Sequence, residues 1–249
     1  MRFISARKME VLLAALLSRS GQVVTTGQLF TELWGENPPR RASASLHVYI
    51  SQLRAFLSRP GQSQSSIVTR SPGYLIQVGA DDVDALDFES KVEEGRTHAA
   101  LCRYEDAVAS LEAALALWRG PALHDLRDGP LVNTYVTWLE ETRVECHEML
   151  IESYLRLGRH REVVGRLQML IVEYPLREVF YRYLMIALHR AERRAEALHV
   201  YQLVRRALNE ELGLEPCRSL RELQQAILNG EDASDMLLDG PSSPLLGAR

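Results

Sequence analysis

Within the first eighty residues the apolar pattern changes from a helical period to a strand period, and this change constrains the fold more than any other feature. Met9, Leu12, Leu13, Leu16 and Leu17 recur at the spacing of an amphipathic helix with one buried face, and Gly21 follows as its stop. Thr25 and Gln28 form a Thr-x-x-Gln box, the reciprocal cap of a helix start. The second helix it opens carries Leu29, Phe30, Leu33 and Trp34 as its stripe and stops at Gly35 and Asn37-Pro38-Pro39. A third helix is predicted from about Ala42 to Leu57. On a helical wheel its apolar side is Leu46, Tyr49, Ile50, Leu53, Phe56 and Leu57, and its outer side is Ser43, Ala44, His47, Val48, Ser51, Arg54 and Ala55. Residues 59–66 read as a turn-rich link. Ile67-Val68-Thr69 and Tyr74-Leu75-Ile76-Gln77-Val78 then flank Arg70-Ser71-Pro72-Gly73 as a hairpin. Three helices followed by such a hairpin predict a winged helix-turn-helix, with helix three as reader and the hairpin as wing.

Charge supports this reading. The formal net charge is −4, but residues 1–79 hold nine Lys/Arg against three Asp/Glu, and residues 80–249 hold twenty against thirty. A basic module joined to an acidic one points the first at a polyanion. His47, Ser51 and Arg54 are the candidates for base edges in the major groove. Arg40, Arg41, Ser43 and Thr69 are the candidates for phosphates, and Arg70 for the minor groove or its phosphate wall. Each of these residues taken singly also reads as ordinary solvent surface; the ordered combination is what favours DNA.

From Asp84 onward the pattern is helical. Leu101-Cys102-Arg103-Tyr104-Glu105-Asp106-Ala107-Val108, Leu157-Gly158-Arg159-His160-Arg161-Glu162-Val163-Val164 and Ala191-Glu192-Arg193-Arg194-Ala195-Glu196-Ala197-Leu198 align with one another. The second and third are 34 residues apart, the period of tetratricopeptide helix pairs. The first and second are 56 apart, which leaves room for an insertion broken by Trp118-Arg119-Gly120-Pro121 and Asp128-Gly129-Pro130. Leu111, Leu115, Leu167, Ile171 and Tyr201 fall at core spacing. The expected architecture is mainly α: a winged helix-turn-helix over 1–79, an all-α tetratricopeptide-like helical-repeat domain over 84–228, and a disordered tail over 229–249.

Reaction chemistry is not indicated. There is no G-x-x-x-x-G-K-[ST] loop and no H-E-x-x-H, and the seven histidines are scattered. His98 with Cys102, and Cys146-His147-Glu148, could supply a nucleophile or part of a metal site, but neither set has an evident third partner. Packing or surface roles are the simpler reading. Cys102, Cys146 and Cys217 are odd in number and widely spaced, which argues against a disulfide framework. No enzyme activity, cofactor or metal is expected. Neither a signal-peptide pattern nor a long apolar run is present, so the expected location is the cytoplasm, in association with the nucleoid.

Several phrases make the chain resemble a known family. Gln28-Leu29, Glu32-Leu33-Trp34-Gly35, Asn37-Pro38-Pro39-Arg40, Leu46-His47-Val48-Tyr49-Ile50-Ser51-Gln52-Leu53-Arg54 and Ile67-Val68-Thr69-Arg70-Ser71-Pro72-Gly73-Tyr74 resemble the Streptomyces antibiotic regulatory protein family. Its DNA-binding domain is of the response-regulator effector type. Leu117-Trp118-Arg119-Gly120-Pro121-Ala122-Leu123, Tyr174-Pro175-Leu176-Arg177-Glu178 and Glu210-Glu211-Leu212-Gly213-Leu214-Glu215-Pro216 extend the resemblance into the family's bacterial transcriptional activation domain. The resemblance implies activation of a secondary-metabolite gene cluster. It further implies binding to direct repeats upstream of promoters, self-association on DNA, and recruitment of RNA polymerase holoenzyme through its σ factor. The small β-sheet that usually precedes helix one in this family has no evident counterpart here, so helix one and the wing are expected to lack that packing partner. No receiver-type acidic cluster precedes the DNA-binding domain. The competing reading is a helical-repeat interaction scaffold whose N-terminal module no longer binds DNA.

Overall fold

The computed structural model describes residues 6–58, 66–78 and 83–230. The link over 59–65, residues 1–5, on which the expected absence of a leading sheet turns, and the tail beyond 230 lie outside the described residues. Ten α-helices, a single 3-10 turn at His124–Leu126 and three strands follow one another through the described residues. The α-helices and strands are α1 (Arg7–Leu17), β1 (Val23–Thr25), α2 (Thr26–Trp34), α3 (Ala42–Leu57), β2 (Ile67–Arg70) and β3 (Gly73–Ile76), then α4 (Asp84–Ala100), α5 (Tyr104–Ala116), α6 (Pro130–Arg156), α7 (His160–Glu173), α8 (Glu178–Arg190), α9 (Arg194–Leu212) and α10 (Arg218–Asn229). No described helix is long and apolar enough to cross a membrane. The chain divides into two compact units, Met1–Lys91 with Ala113–Glu145, and Val92–Glu112 with Cys146–Arg249.

In the first unit the winged helix-turn-helix is present as its local sequence dictates. The Thr25 hydroxyl accepts from the Gln28 amide at 3.2 Å, and the Gln28 side chain accepts from the Thr25 amide at 2.9 Å, so the capping box is closed on both sides. β2 and β3 pair antiparallel from Ile67↔Ile76 to Arg70↔Gly73. One strand was not foreseen. Val23–Thr25 pairs with the far edge of β3, giving the order β1-β3-β2. Three residues are too few to show an alternating pattern, and the capping box begins on the last of them.

The core of this unit draws on distant sequence. Leu12, Leu16, Leu29, Leu33, Leu46, Ile50, Leu53, Ile67 and Ile76 cluster with Val132 and Val136 of α6, and Ala122, Leu126 and Leu131 pack against them. Fully burying a valine side chain stabilises by ~1.5–3 kcal/mol, so residues 122–136 contribute to the same core as the helix-turn-helix. Glu32 of α2 is buried, at 4% exposure. Its carboxylate accepts from the backbone amides of Leu131 at 2.8 Å and Val132 at 3.1 Å. These amides open α6, where a helix has unpaired N–H groups and a positive dipole end. Gly129 precedes them, and a Cβ there would sit 2.2–2.5 Å from the Glu32 carboxyl atoms. The glycine is what lets the carboxylate approach. Arg7 of α1 adds an exposed pair with Asp128 at 2.7 Å.

The second unit is a stack of neighbours. α7 packs on α8, α8 on α9, and α10 against both α8 and α9. α8 is buried almost all round, from Phe180 to Leu188. The three phrases that align in sequence occupy the turns before α5, α7 and α9 and share one geometry. The second residue of each has a left-handed backbone: Cys102 at φ 57, Gly158 at φ 73 and Glu192 at φ 61. The next amide reaches back to close the turn, Arg103 to His98, Arg159 to Tyr154 and Arg193 to Leu188, each at 2.9 Å. That is the pattern of a Schellman turn, for which glycine is the usual residue. The repeat is therefore structural, and only one of its three copies has the favoured residue.

Candidate nucleic-acid interface

α3 occupies the residues expected of it, and its two faces divide as the spacing requires. Leu46, Ile50 and Leu53 are buried, while Tyr49 stacks on Trp34 with centroids 6.5 Å apart. Ser43, Ala44, His47, Val48, Ser51, Gln52 and Ala55 are exposed. Val48 is 52% exposed, an apolar side chain left on a polar face. Gln52 lies one turn beyond it; wheel reasoning had not singled it out, although its exposure follows from the same period.

The N-terminus of α3 is open. Arg41 takes the cap position without a side-chain cap hydrogen bond. The Ala42 amide donates to Pro39 O and the Ser45 amide to Arg41 O. The amides of Ser43 and Ala44 have no partner among the described residues. Arg40 and Arg41 are exposed beside them, and Arg70 is exposed at the end of β2. Among the described residues no carboxylate pairs with Arg40, Arg41 or Arg70. Of the three acidic residues in the first 79, Glu32 is turned inward onto α6. Uncapped amides beside unpaired guanidinium groups make a site for anions.

Arg54 is placed differently from the other candidates. It is half-buried, its Nε donates to Ile67 O at 2.9 Å, and one terminal nitrogen donates to the Thr69 hydroxyl at 2.9 Å. Two residues read from the sequence as facing DNA thus hold each other, tying the C-terminal half of α3 to the first strand of the wing. The contact joins positions 13 and 15 residues apart, which helical periodicity cannot register.

The residues weighed for other chemistry do not converge. Cys146 is buried, its thiol lies 3.7 Å from Leu111 O, and burial pushes that thiol up to about 12. A protonated thiol is a poor nucleophile and a poor ligand. Cys102 is exposed, and His98 lies 3.7 Å from Glu94. Among the described residues no group of three or more His, Cys, Asp or Glu could hold a metal ion.

Residues 4–76 match the model of the transcriptional regulatory protein C-terminal domain, and residues 83–228 match that of the bacterial transcriptional activator domain. The regulatory protein DnrI of Streptomyces peucetius is 36% identical over 96% of this chain and 89% of its own length. The regulatory protein AfsR of Streptomyces coelicolor is 41% identical over 89% of this chain, which spans only 22% of that protein. A solved structure of Mycobacterium tuberculosis EmbR in complex with a low-affinity phosphopeptide superimposes with a TM-score of 0.86 at 34% identity, covering 94% of this chain and 62% of that one. With both domain models matched in order and a relative aligned over nearly its full length, the chain belongs to the Streptomyces antibiotic regulatory protein family of transcriptional activators.

Proposed function

We propose that this chain binds promoter DNA sequence-specifically and activates a secondary-metabolite gene cluster. The observation that carries this reading is the exposed face of α3 with its uncapped N-terminus and the unpaired Arg40, Arg41 and Arg70 around it. In this reading α3 enters the major groove. Arg40, Arg41 and Ser43 hold phosphates at its N-terminus. His47, Ser51 and Gln52 face base edges, with Val48 against a thymine methyl. Arg70 reaches the minor groove or its phosphate wall. Arg54 and Thr69 act through each other as positioning residues that fix the wing against α3. The division of labour in this reading is 1–79 for DNA, and 84–228 for self-association on direct repeats and contact with RNA polymerase holoenzyme and its σ factor. The chain works as a regulator in the cytoplasm, at the nucleoid, without catalysis or cofactor.

The test is a mobility-shift titration of the full chain on duplexes from promoter regions, at several salt concentrations. A specific complex whose affinity falls steeply with salt is expected, because bound phosphates release counterions. Footprints on the bound duplexes should show two protected segments in the same orientation. Equal affinity for all duplexes would overturn sequence-specific binding. A single protected segment would overturn the direct-repeat arrangement.

A further inference from the structure

The first unit contains a cavity of about 430 Å³ that DNA binding does not use. Ala14 and Leu17 of α1 form one wall, Phe88 of α4 and Tyr135 and Leu139 of α6 form others, and the loop over 117–123 closes it. The aromatic walls are fixed. Phe88 meets Trp118 edge-on at 5.5 Å, and the Arg143 guanidinium lies over the Trp118 ring at 5.0 Å. The Tyr135 hydroxyl donates to Glu89 at 2.9 Å. The closing loop contains Leu123 in a left-handed conformation at φ 44, unusual for a branched apolar residue, and 37% exposed. At the rim Arg119 pairs with Asp84 at 2.7 Å, with both side chains open to water.

We propose that this cavity is a binding site for a small aromatic acid, its rings against the wall formed by Phe88, Trp118 and Tyr135 and its anionic group on Arg119. The volume lies in the range of small-molecule sites, which are mostly apolar with a few polar groups. It is too small for a helix, which is about 10 Å across with side chains. Aromatic walls favour rings in edge-on or offset contact. An exposed ion pair contributes little, so an incoming acid can take the place of Asp84 on Arg119 at small loss, and a guanidinium suits a carboxylate or sulfonate geometrically. Such a ligand touches α1, which belongs to the helix-turn-helix core, together with α4 and α6. It would stabilise the unit that carries the DNA-reading helix, by mass action on the folded form.

The probe is 1-anilinonaphthalene-8-sulfonate, an aromatic sulfonate, titrated into the full chain. Saturable binding at one site is expected, with quenching of tryptophan fluorescence and a rise in Tm. Ala85→Trp fills the cavity and should abolish binding. Arg119→Ala alters only an exposed side chain and should weaken binding by about tenfold. Near-ultraviolet circular dichroism of both variants establishes that they are folded. Absence of saturable binding would overturn the site. So would a folded Ala85→Trp chain that binds like the parent, whereas unchanged binding by Arg119→Ala would overturn the acid as the ligand class.

Discussion

The two units are held together by different means. In the repeat unit each helix packs on its neighbours in the chain, and the arginines are largely matched to nearby carboxylates: Arg159 to Glu162, Arg193 to Glu196, Arg205 to Glu215 and Arg218 to Glu222. In the N-terminal unit the core closes over about a hundred residues of chain, through Glu32 to Leu131 and Val132 and through Val132 and Val136 against the helix-turn-helix. Its outward arginines at positions 40, 41 and 70 are unmatched among the described residues. Paired charge on a repeat surface contributes little beyond solvation. Unpaired charge beside open amides is what we propose meets the DNA phosphates.

The largest effect should come from cutting the distant closure. A fragment of residues 1–79 loses Val132, Val136 and the partners of Glu32. Thermal scans of its circular dichroism should show no cooperative transition, and a sharp transition would mean that the first eighty residues form their own core. Next, Glu32→Ala in the full chain leaves the amides of Leu131 and Val132 without their acceptor and should cost about 2 kcal/mol. Gly129→Ala should cost at least as much, since its Cβ collides with the carboxylate. Denaturant titration followed by tryptophan fluorescence isolates this unit, because Trp34, Trp118 and Trp138 all belong to it. A loss below about 0.5 kcal/mol, the scale of an ordinary surface change, would demote the Glu32 contact to a bystander.

The repeat unit should yield first in alkali. Burial raises the Cys146 thiol from 9.0 to about 12. Below pH 9 the thiol is protonated in both folded and unfolded chains and adds no pH dependence. Between pH 9 and 12 the unfolded chain releases that proton while the folded one keeps it, so stability falls by up to about 1.4 kcal/mol per pH unit. Cys146→Ser should remove one proton from the measured slope; an unchanged slope would assign the alkaline loss elsewhere, for instance to Tyr183, which burial also raises to about 12.

A smaller effect separates the two kinds of arginine. Arg40→Ala and Arg41→Ala should each weaken DNA binding at all sites and lower the salt slope by about one. Arg205→Ala, which removes a matched charge, should leave both unchanged. If all three behave alike, pairing is not what distinguishes the units. The smallest change tests the repeat itself. Glu192→Gly places glycine where a left-handed residue is required and should raise stability by up to about 1 kcal/mol in urea titration, whereas a loss would show that the Glu192 side chain matters more than its backbone.

Local signals account for what could be read in advance. The capping box of Thr25 and Gln28, the inner and outer faces of α3, the hairpin around Arg70 and the three repeat turns all depend on residues within a few positions of one another. Periodicity and capping report that range directly. β1 was missed because three residues carry no period. The outward wheel position of Arg54 makes it a candidate for DNA, whereas its hydrogen bonds to Ile67 and Thr69 were not legible because they depend on where the wing folds back.

The sequence by itself determined the helices and the hairpin, α3 with its polar face, and the repeat that follows, since each is encoded by spacing along one helix or hairpin. The tertiary structure alone decided that Glu32 turns inward to cap α6, that Val132 and Val136 complete the DNA-binding core, and that Arg54 braces the wing. These depend on which distant segments share a core, and close packing of side chains about a hundred positions apart leaves no periodic trace in the chain.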